Sequence, residues 1–162
     1  MIRTLCFCFL LLVCDVVSKL GAILCLHPLS GHVYPFGGVG IFPDFLGISF
    51  SLNYVVNSGA AWGMFPGHSG LLFLLRFAVI VGLVIYLVWG KKSAVPKFPL
   101  WLVVTGAVGN AIDYSLYGHV IDFFHFVFWG YSFPVFNLAD SYITLGVFSL
   151  LFFSRKEQRQ IP

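Results

Sequence analysis

The sequence predicts an all-α membrane protein: four transmembrane helices carrying a small β-rich extracytoplasmic cradle. Three observations lead there. The chain is 59% hydrophobic and only 9% charged, where a soluble domain carries about a quarter charged residues. Its apolar residues gather into four runs, near residues 4–26, 69–89, 98–117 and 136–153, each close to the roughly 20 residues that cross a bilayer as a helix. Its basic residues are segregated along the chain, as lipid-spanning topologies require. With 162 residues, the whole is expected to form a single membrane domain.

The first run follows Arg3 and is interrupted by Asp15, Ser18 and Lys19. It has no clean small-x-small cleavage site, and Val13 is bulky where a lipid-attachment motif ending at Cys14 needs a small residue, so it reads as a retained span. Cys6, Cys8, Cys14 and Cys25 all fall within it. Their spacing spreads them over the helix surface, and they read as free apolar-like thiols.

Orientation follows from Lys and Arg. Arg3 precedes the first run, Lys91, Lys92 and Lys97 separate the second from the third, and Arg155, Lys156 and Arg159 follow the fourth. Between Lys19 and Arg76, and again between Lys97 and Arg155, there is no basic residue apart from histidine. Both termini and the middle loop are therefore expected in the cytoplasm. The long loop 27–67 then lies outside. Within it, 47–56 is β-branched and aromatic and reads as a strand or two. The run from Asp122 to Ser132, with Phe123, Phe124, Phe126, Phe128, Trp129 and Tyr131, suits the aromatic belt at the headgroups.

Polar residues inside apolar spans are functional candidates. Asp15 and Lys19 are four apart, on one helix face, and read as a structural ion pair. Asn53 and Asn57 precede the small residues Gly59, Ala60, Ala61 and Gly63. The two amides either hold a peptide backbone or belong to a tight turn into the second helix. Gly106 and Gly109 give the third helix a close-packing face, and Asn110 and Asp113 are three apart on it. Gly118 reads as a helix end or turn by its type, and Asp122 lies beyond it, where such a turn returns it toward the core. Asn137 and Asp140 repeat the three-residue spacing at the outer start of the fourth helix.

Three aspartates, Asp113, Asp122 and Asp140, thus gather near the outer ends of two helices. Two carboxylates close together in a low dielectric share a proton and so offer an acid and a base at once, the chemistry of an aspartic peptidase. At about 1.5 Å per residue, Asp140 lies roughly 22 Å from Arg155, and Asp113 at a similar height above Lys97. Depth alone prefers Asp113 to Asp122 as the partner of Asp140. Ser141 adjoins Asp140 but has no base arranged beside it. A proton pathway is a competing reading of buried aspartates, although these cluster on one side; the remaining charges at depth are Asp15, Lys19 and Arg76. A metal centre of His119, Asp122 and His125, three apart in succession, is another, but on a helix such ligands spread around the circumference instead of converging.

Four ordered segments carry a family resemblance: Asp15 to Lys19, Asn53 to Gly63, Gly109 to Asp113 continued by Gly118 to Phe123, and Phe133 to Ser141. Together they resemble the bacterial lipoprotein signal peptidases, or signal peptidase II. The resemblance implies an aspartyl endopeptidase, without cofactor or metal, that removes signal peptides from diacylglyceryl-modified prolipoproteins just before the lipid-modified cysteine, at the outer face of the inner membrane. It implies a monomer whose partners are substrate and membrane lipid, with no nucleic acid. It assigns Asp122 and Asp140 as the catalytic pair, against the depth preference, and gives Asn53, Asn57, Asn110, Asp113, Asn137, Asp15 and Lys19 supporting or substrate-binding places. In one departure, Tyr114 stands where the family usually has arginine; a tyrosine donates one hydrogen bond and carries no charge.

Overall fold

The computed structural model describes residues 2–29, 38–58, 69–90 and 96–158, without the side chains of 69–73 and 154–158. The small-residue turn Gly59, Ala60, Ala61 and Gly63 lies outside the described residues, as do Lys91, Lys92 and Arg159. Four long helices dominate: α1 (Ile2–Cys25), α2 (Ser69–Trp89), α3 (Lys97–Tyr117) and α4 (Leu138–Gln158). They fall within a few residues of the expected runs; α4 starts two residues later than expected because Asn137 caps it.

One helical segment among the described residues, Ile2–Leu29, is long and apolar enough by itself to cross a membrane, with a mean hydropathy of 2.3; Leu74–Trp89 and Leu138–Phe153 are shorter apolar stretches. α1, α2 and α4 carry large exposed apolar faces, unlike the helices of a water-soluble protein. On α1 the buried residues include Asp15 and Lys19, while Phe9 and Val17 are at least 60% exposed. Leu74, Val79 and Trp89 on α2 and Leu145, Phe148 and Phe152 on α4 are exposed as well.

The chain is not all-α. β1 (Val39–Phe45), β2 (Ile48–Asn57), β3 (Val120–Phe128) and β4 (Tyr131–Ser132) form one antiparallel sheet in the order β1-β2-β3-β4. The region 47–56 is a strand as expected, and β1 precedes it. The aromatic run from Asp122 to Ser132, expected only as an interfacial belt, is instead β3, a turn and β4. Both hairpin turns place two successive residues at positive φ, Leu46–Gly47 (56° and 83°) and Trp129–Gly130 (46° and 84°). That geometry matches the twist of the flanking strands. Asp44 steadies the first turn, its Oδ1 accepting the Gly47 N–H at 2.8 Å.

α3 ends at Gly118, whose φ of 75° lets its N–H return to the Tyr114 carbonyl. The chain then reverses into β3, which pairs with β2 so that Val55 faces Asp122 and Asn57 faces Val120. α3 and α4 touch backbone to backbone. A Cβ on Gly106 would stand 2.2 Å from the Ala139 carbonyl oxygen, and one on Gly109 would stand 2.5 Å from Asp15 Oδ2. Those two glycines bring α1, α3 and the start of α4 together where the polar residues lie.

Candidate functional site

The start of α4 organises the site. Asn137 is its N-cap: Asn137 Oδ1 accepts the Asp140 N–H at 2.9 Å, and the Asn137 N–H donates back to Asp140 Oδ2 at 3.3 Å. This reciprocal capping satisfies helix-end donors and pins the Asp140 carboxylate at the helix N-terminus, where a negative charge is favoured. A second cap comes from α1, as Asp15 Oδ1 accepts the Ala139 N–H at 2.9 Å.

Asp122 arrives from β3. Asn137 Nδ2 donates to its Oδ1 at 2.7 Å, and Asn57 Nδ2 on β2 donates to its Oδ2 at 3.0 Å. The Asn137 amide also reaches the Ile121 carbonyl and Asn110 Oδ1, each at 3.2 Å, so its two hydrogens are shared among three acceptors. Asp140 Oδ1 in turn accepts from Asn110 Nδ2 at 2.8 Å. The two carboxylates are therefore joined through two asparagines. Asp122 is 2% exposed. Burial, then the neighbouring Asp140 charge, pushes its carboxyl up from 3.8 to about 7, against the pull of Asn57 and Asn137. Asp140 is only partly buried.

Both carboxylates line one cavity of about 1050 Å³, together with Asn57, Asn110 and Arg76. Its remaining wall is largely apolar and includes Phe133 and Phe136, whose rings meet edge-on at 5.9 Å. Such a chamber, apolar with a few convergent polar groups, is the usual form of a binding site.

Behind the cavity sits a buried charged cluster. Lys19 Nζ lies 2.8 Å from Asp15 Oδ2, 3.0 Å from Asp113 Oδ2 and 3.1 Å from Asn110 Oδ1. The ion pair expected of Asp15 and Lys19 is present and includes a third member from α3. Asp113 also accepts the Ile121 N–H at 3.2 Å. Asp113 does not line the cavity and Asp122 does, which corrects the depth preference. Depth along a straight α3 puts Asp122 outside the core unless a turn after Gly118 returns it; the chain does turn at Gly118, and β3 carries Asp122 back.

The remaining polar candidates are placed as follows. Asn53 is not at the cavity: it is fully buried within the sheet, donating to Ser51 Oγ at 3.0 Å. His119, Asp122 and His125 do not share a helix. Asp122 and His125 lie on a strand, where a three-residue separation sends side chains to opposite faces, and His125 bonds Ser132 Oγ at 2.8 Å and Ser51 Oγ at 3.4 Å. Ser141 returns its hydroxyl to the Asn137 carbonyl at 3.1 Å. Arg76, which the sequence marks only as a charge at depth, lines the cavity through the packing of α2.

The model of the family described as Signal peptidase (SPase) II matches residues 7–155. The chain belongs to the signal peptidase II family. It is 44% identical to a lipoprotein signal peptidase of Chlamydia pneumoniae over 106 residues, covering 64% of this chain and 63% of that one. A lipoprotein signal peptidase of Syntrophomonas wolfei is 47% identical over 100 residues, 62% of this chain and 64% of the relative. The matches thus span slightly less than two thirds of these relatives' lengths. Two solved bacterial membrane enzymes share the fold. One, determined in meso at 2.3 Å, has a TM-score of 0.77 at 25% identity over 100% of this chain and 93% of its own. The other, at 1.9 Å, has a TM-score of 0.69 at 26% identity over 94% and 92%. Signal peptidase II membership agrees with the ordered motifs: all four segments fall inside the matched range.

Proposed function

We propose that this chain is a single-domain integral membrane aspartyl endopeptidase that removes signal peptides from diacylglyceryl-modified prolipoproteins. Cleavage falls just before the lipid-modified cysteine, at the outer face of the bacterial inner membrane, with Asp122 and Asp140 as the catalytic pair. The observation that carries the reading is the pair itself: two carboxylates bridged through Asn137 and Asn110, facing one largely apolar cavity. Family membership supports the activity, and the names of the relatives support the substrate class. The exposed apolar helix faces support four spans, with lipid covering the apolar residues of α1, α2 and α4. Both termini are cytoplasmic in this reading, and the enzyme works as a monomer.

The environments of the two carboxylates divide the chemistry. Asp122, buried and raised to about 7, holds the proton near neutrality. Asp140, partly exposed and at a helix N-terminus, is the charged base. Asp140 takes a proton from a water molecule, whose oxygen attacks the scissile carbonyl carbon. The Asp122 proton hydrogen-bonds the carbonyl oxygen as it gains charge, and the tetrahedral intermediate collapses as Asp140 passes the proton it took from water to the leaving amine. Asn57 and Asn137 hold Asp122 in place, and Asp15, Asp113 and Lys19 support the helices that present the pair. Chain direction in the substrate follows from its lipid, which anchors in the bilayer beside the cavity and brings the bond to the carboxylates.

The test is cleavage of a purified lipid-modified prolipoprotein in detergent micelles, without added metal or gradient. Asp122→Asn and Asp140→Asn, each shown to be folded, are expected to abolish it. A folded Asp140→Asn enzyme of full activity overturns the proposal, and wild-type protein that never cleaves moves the proton-pathway reading ahead.

A further inference from the structure

Lys19 is 2% exposed and sits one residue behind the cavity wall. As a structural anchor, pairing Asp15 with Asp113 would suffice. Its third contact, with Asn110 Oδ1 at 3.1 Å, is not needed for that. An ammonium has three donors and no acceptor, so the amide atom that faces it is oxygen. Asn137 Nδ2, also a donor, approaches the same oxygen at 3.2 Å. With both donors on one side, the Asn110 amide has a single orientation, and its NH₂ points to Asp140 Oδ1 at 2.8 Å. Asp140 then meets a hydrogen-bond donor on each oxygen, Asn110 Nδ2 on one and the Asn137 N–H on the other. Those two donors fix where both oxygens of Asp140 point.

We infer that Lys19 is a positioning residue for the reaction: acting through Asn110, it orients the amide that holds the Asp140 carboxyl group in place at the cavity. This rests on the catalytic pair proposed above. The charged and titratable groups around Asp140 are Lys19 and Asp15 from α1, Arg76 from α2, Asp113 from α3 and Asp122 from β3. Among them Lys19 is joined to Asp140 through one intervening side chain, with a fixed donor direction at each step. The chain of contacts from ammonium to carboxylate spans α1, α3 and α4, so the base is set by a residue that never touches substrate.

Its prediction is a non-additive pair of substitutions. In the prolipoprotein assay, Lys19→Met is expected to lower kcat per folded enzyme by about 10²-fold, the scale of a small misplacement of a catalytic group, with KM nearly unchanged. Asn110→Ala is expected to lose at least as much, and Lys19→Met/Asn110→Ala to be no worse than Asn110→Ala alone, because residues acting in series do not add. Losses that multiply in the double variant overturn the inference, as does a folded Lys19→Met enzyme with wild-type kcat. Where Lys19→Met does not fold, Lys19→Gln/Asp113→Asn, which keeps the net charge of the cluster, is compared with Asp113→Asn alone. A kcat drop between those two supports the inference, and equal kcat refutes it. Failure of the catalytic pair shows separately, as an active Asp140→Asn enzyme.

Discussion

Two buried polar clusters lie within this fold, and they are built on different terms. One joins Asp15, Lys19, Asn110, Asp113 and Asn137 across α1, α3 and α4, and it opens onto the cavity through Asp122 and Asp140. The other, His125 with Ser51, Asn53 and Ser132, is confined to the sheet. The first carries net charge and places helix ends. The second is neutral in its resting state, since burial pushes the His125 imidazole down from its ordinary value. Burying ions requires partners at every atom, so the charged cluster must recruit residues far apart in sequence. A neutral network can be built from neighbouring strands alone, even with the buried Asn53 Oδ1 accepting no hydrogen bond among the described residues. The difference separates polar residues that prepare chemistry from those that only stitch a sheet.

The largest effect expected is on that division. Asp122→Asn or Asp140→Asn should lower cleavage by about 10³-fold or more, the range lost with an acid–base group, in steady-state assays on folded protein. A comparable loss from His125→Gln would break the comparison. Next, Gly106→Ala drives a methyl to 2.2 Å from the Ala139 carbonyl and is expected to cost about 3 kcal/mol by overpacking. Gly21→Ala, with nothing within 4 Å of the new Cβ, should be neutral or stabilising by up to about 1 kcal/mol. Thermal unfolding in detergent distinguishes the two.

A smaller effect concerns pH. If Asp122 works as the acid, it must be protonated, so kcat/KM should fall as pH rises through about 7. The Asn57 hydrogen bond favours the charged form of Asp122. Asn57→Ala removes that pull and should move the falling limb to higher pH; a limb that stays or moves down would show that another group carries it. The smallest effect is His125→Gln itself, expected to leave cleavage within about twofold while lowering stability by roughly 1 kcal/mol for a lost neutral hydrogen bond.

Much of this was legible in the sequence because polar residues stand out against apolar spans. Asp15 with Lys19, Asn110 with Asp113, and Asn137 with Asp140 are spaced for one helix face each, and each pair acts together in the structure. The strands β3 and β4 were not legible. Phe123 and Phe124 break the alternation that marks a strand, and the turn between β3 and β4 places Trp129, not glycine or asparagine, at positive φ. Without that strand, a turn after Gly118 offered a way back for Asp122 but no means of ranking it above Asp113, and only the family resemblance placed it beside Asp140. Asn53 was misplaced for a related reason. The register of β2 against β3 slips between Leu52 and Val55, and no local pattern reveals which of two nearby asparagines reaches the cavity. Arg76 faces the site through the packing of α2 against its neighbours, which a single helix does not encode.

The bond from Ala139 to Asp15 joins residues 124 apart in the chain. In the four-span reading proposed above, synthesis delivers the acceptor long before its donor exists, and α1 waits with its carboxylate matched by Lys19. The proposed catalytic pair closes only when the last helix is in place. A nascent chain that has not yet made α4 lacks Asp140 and its cap together, so in that reading cleavage competence arrives in one late step of biogenesis.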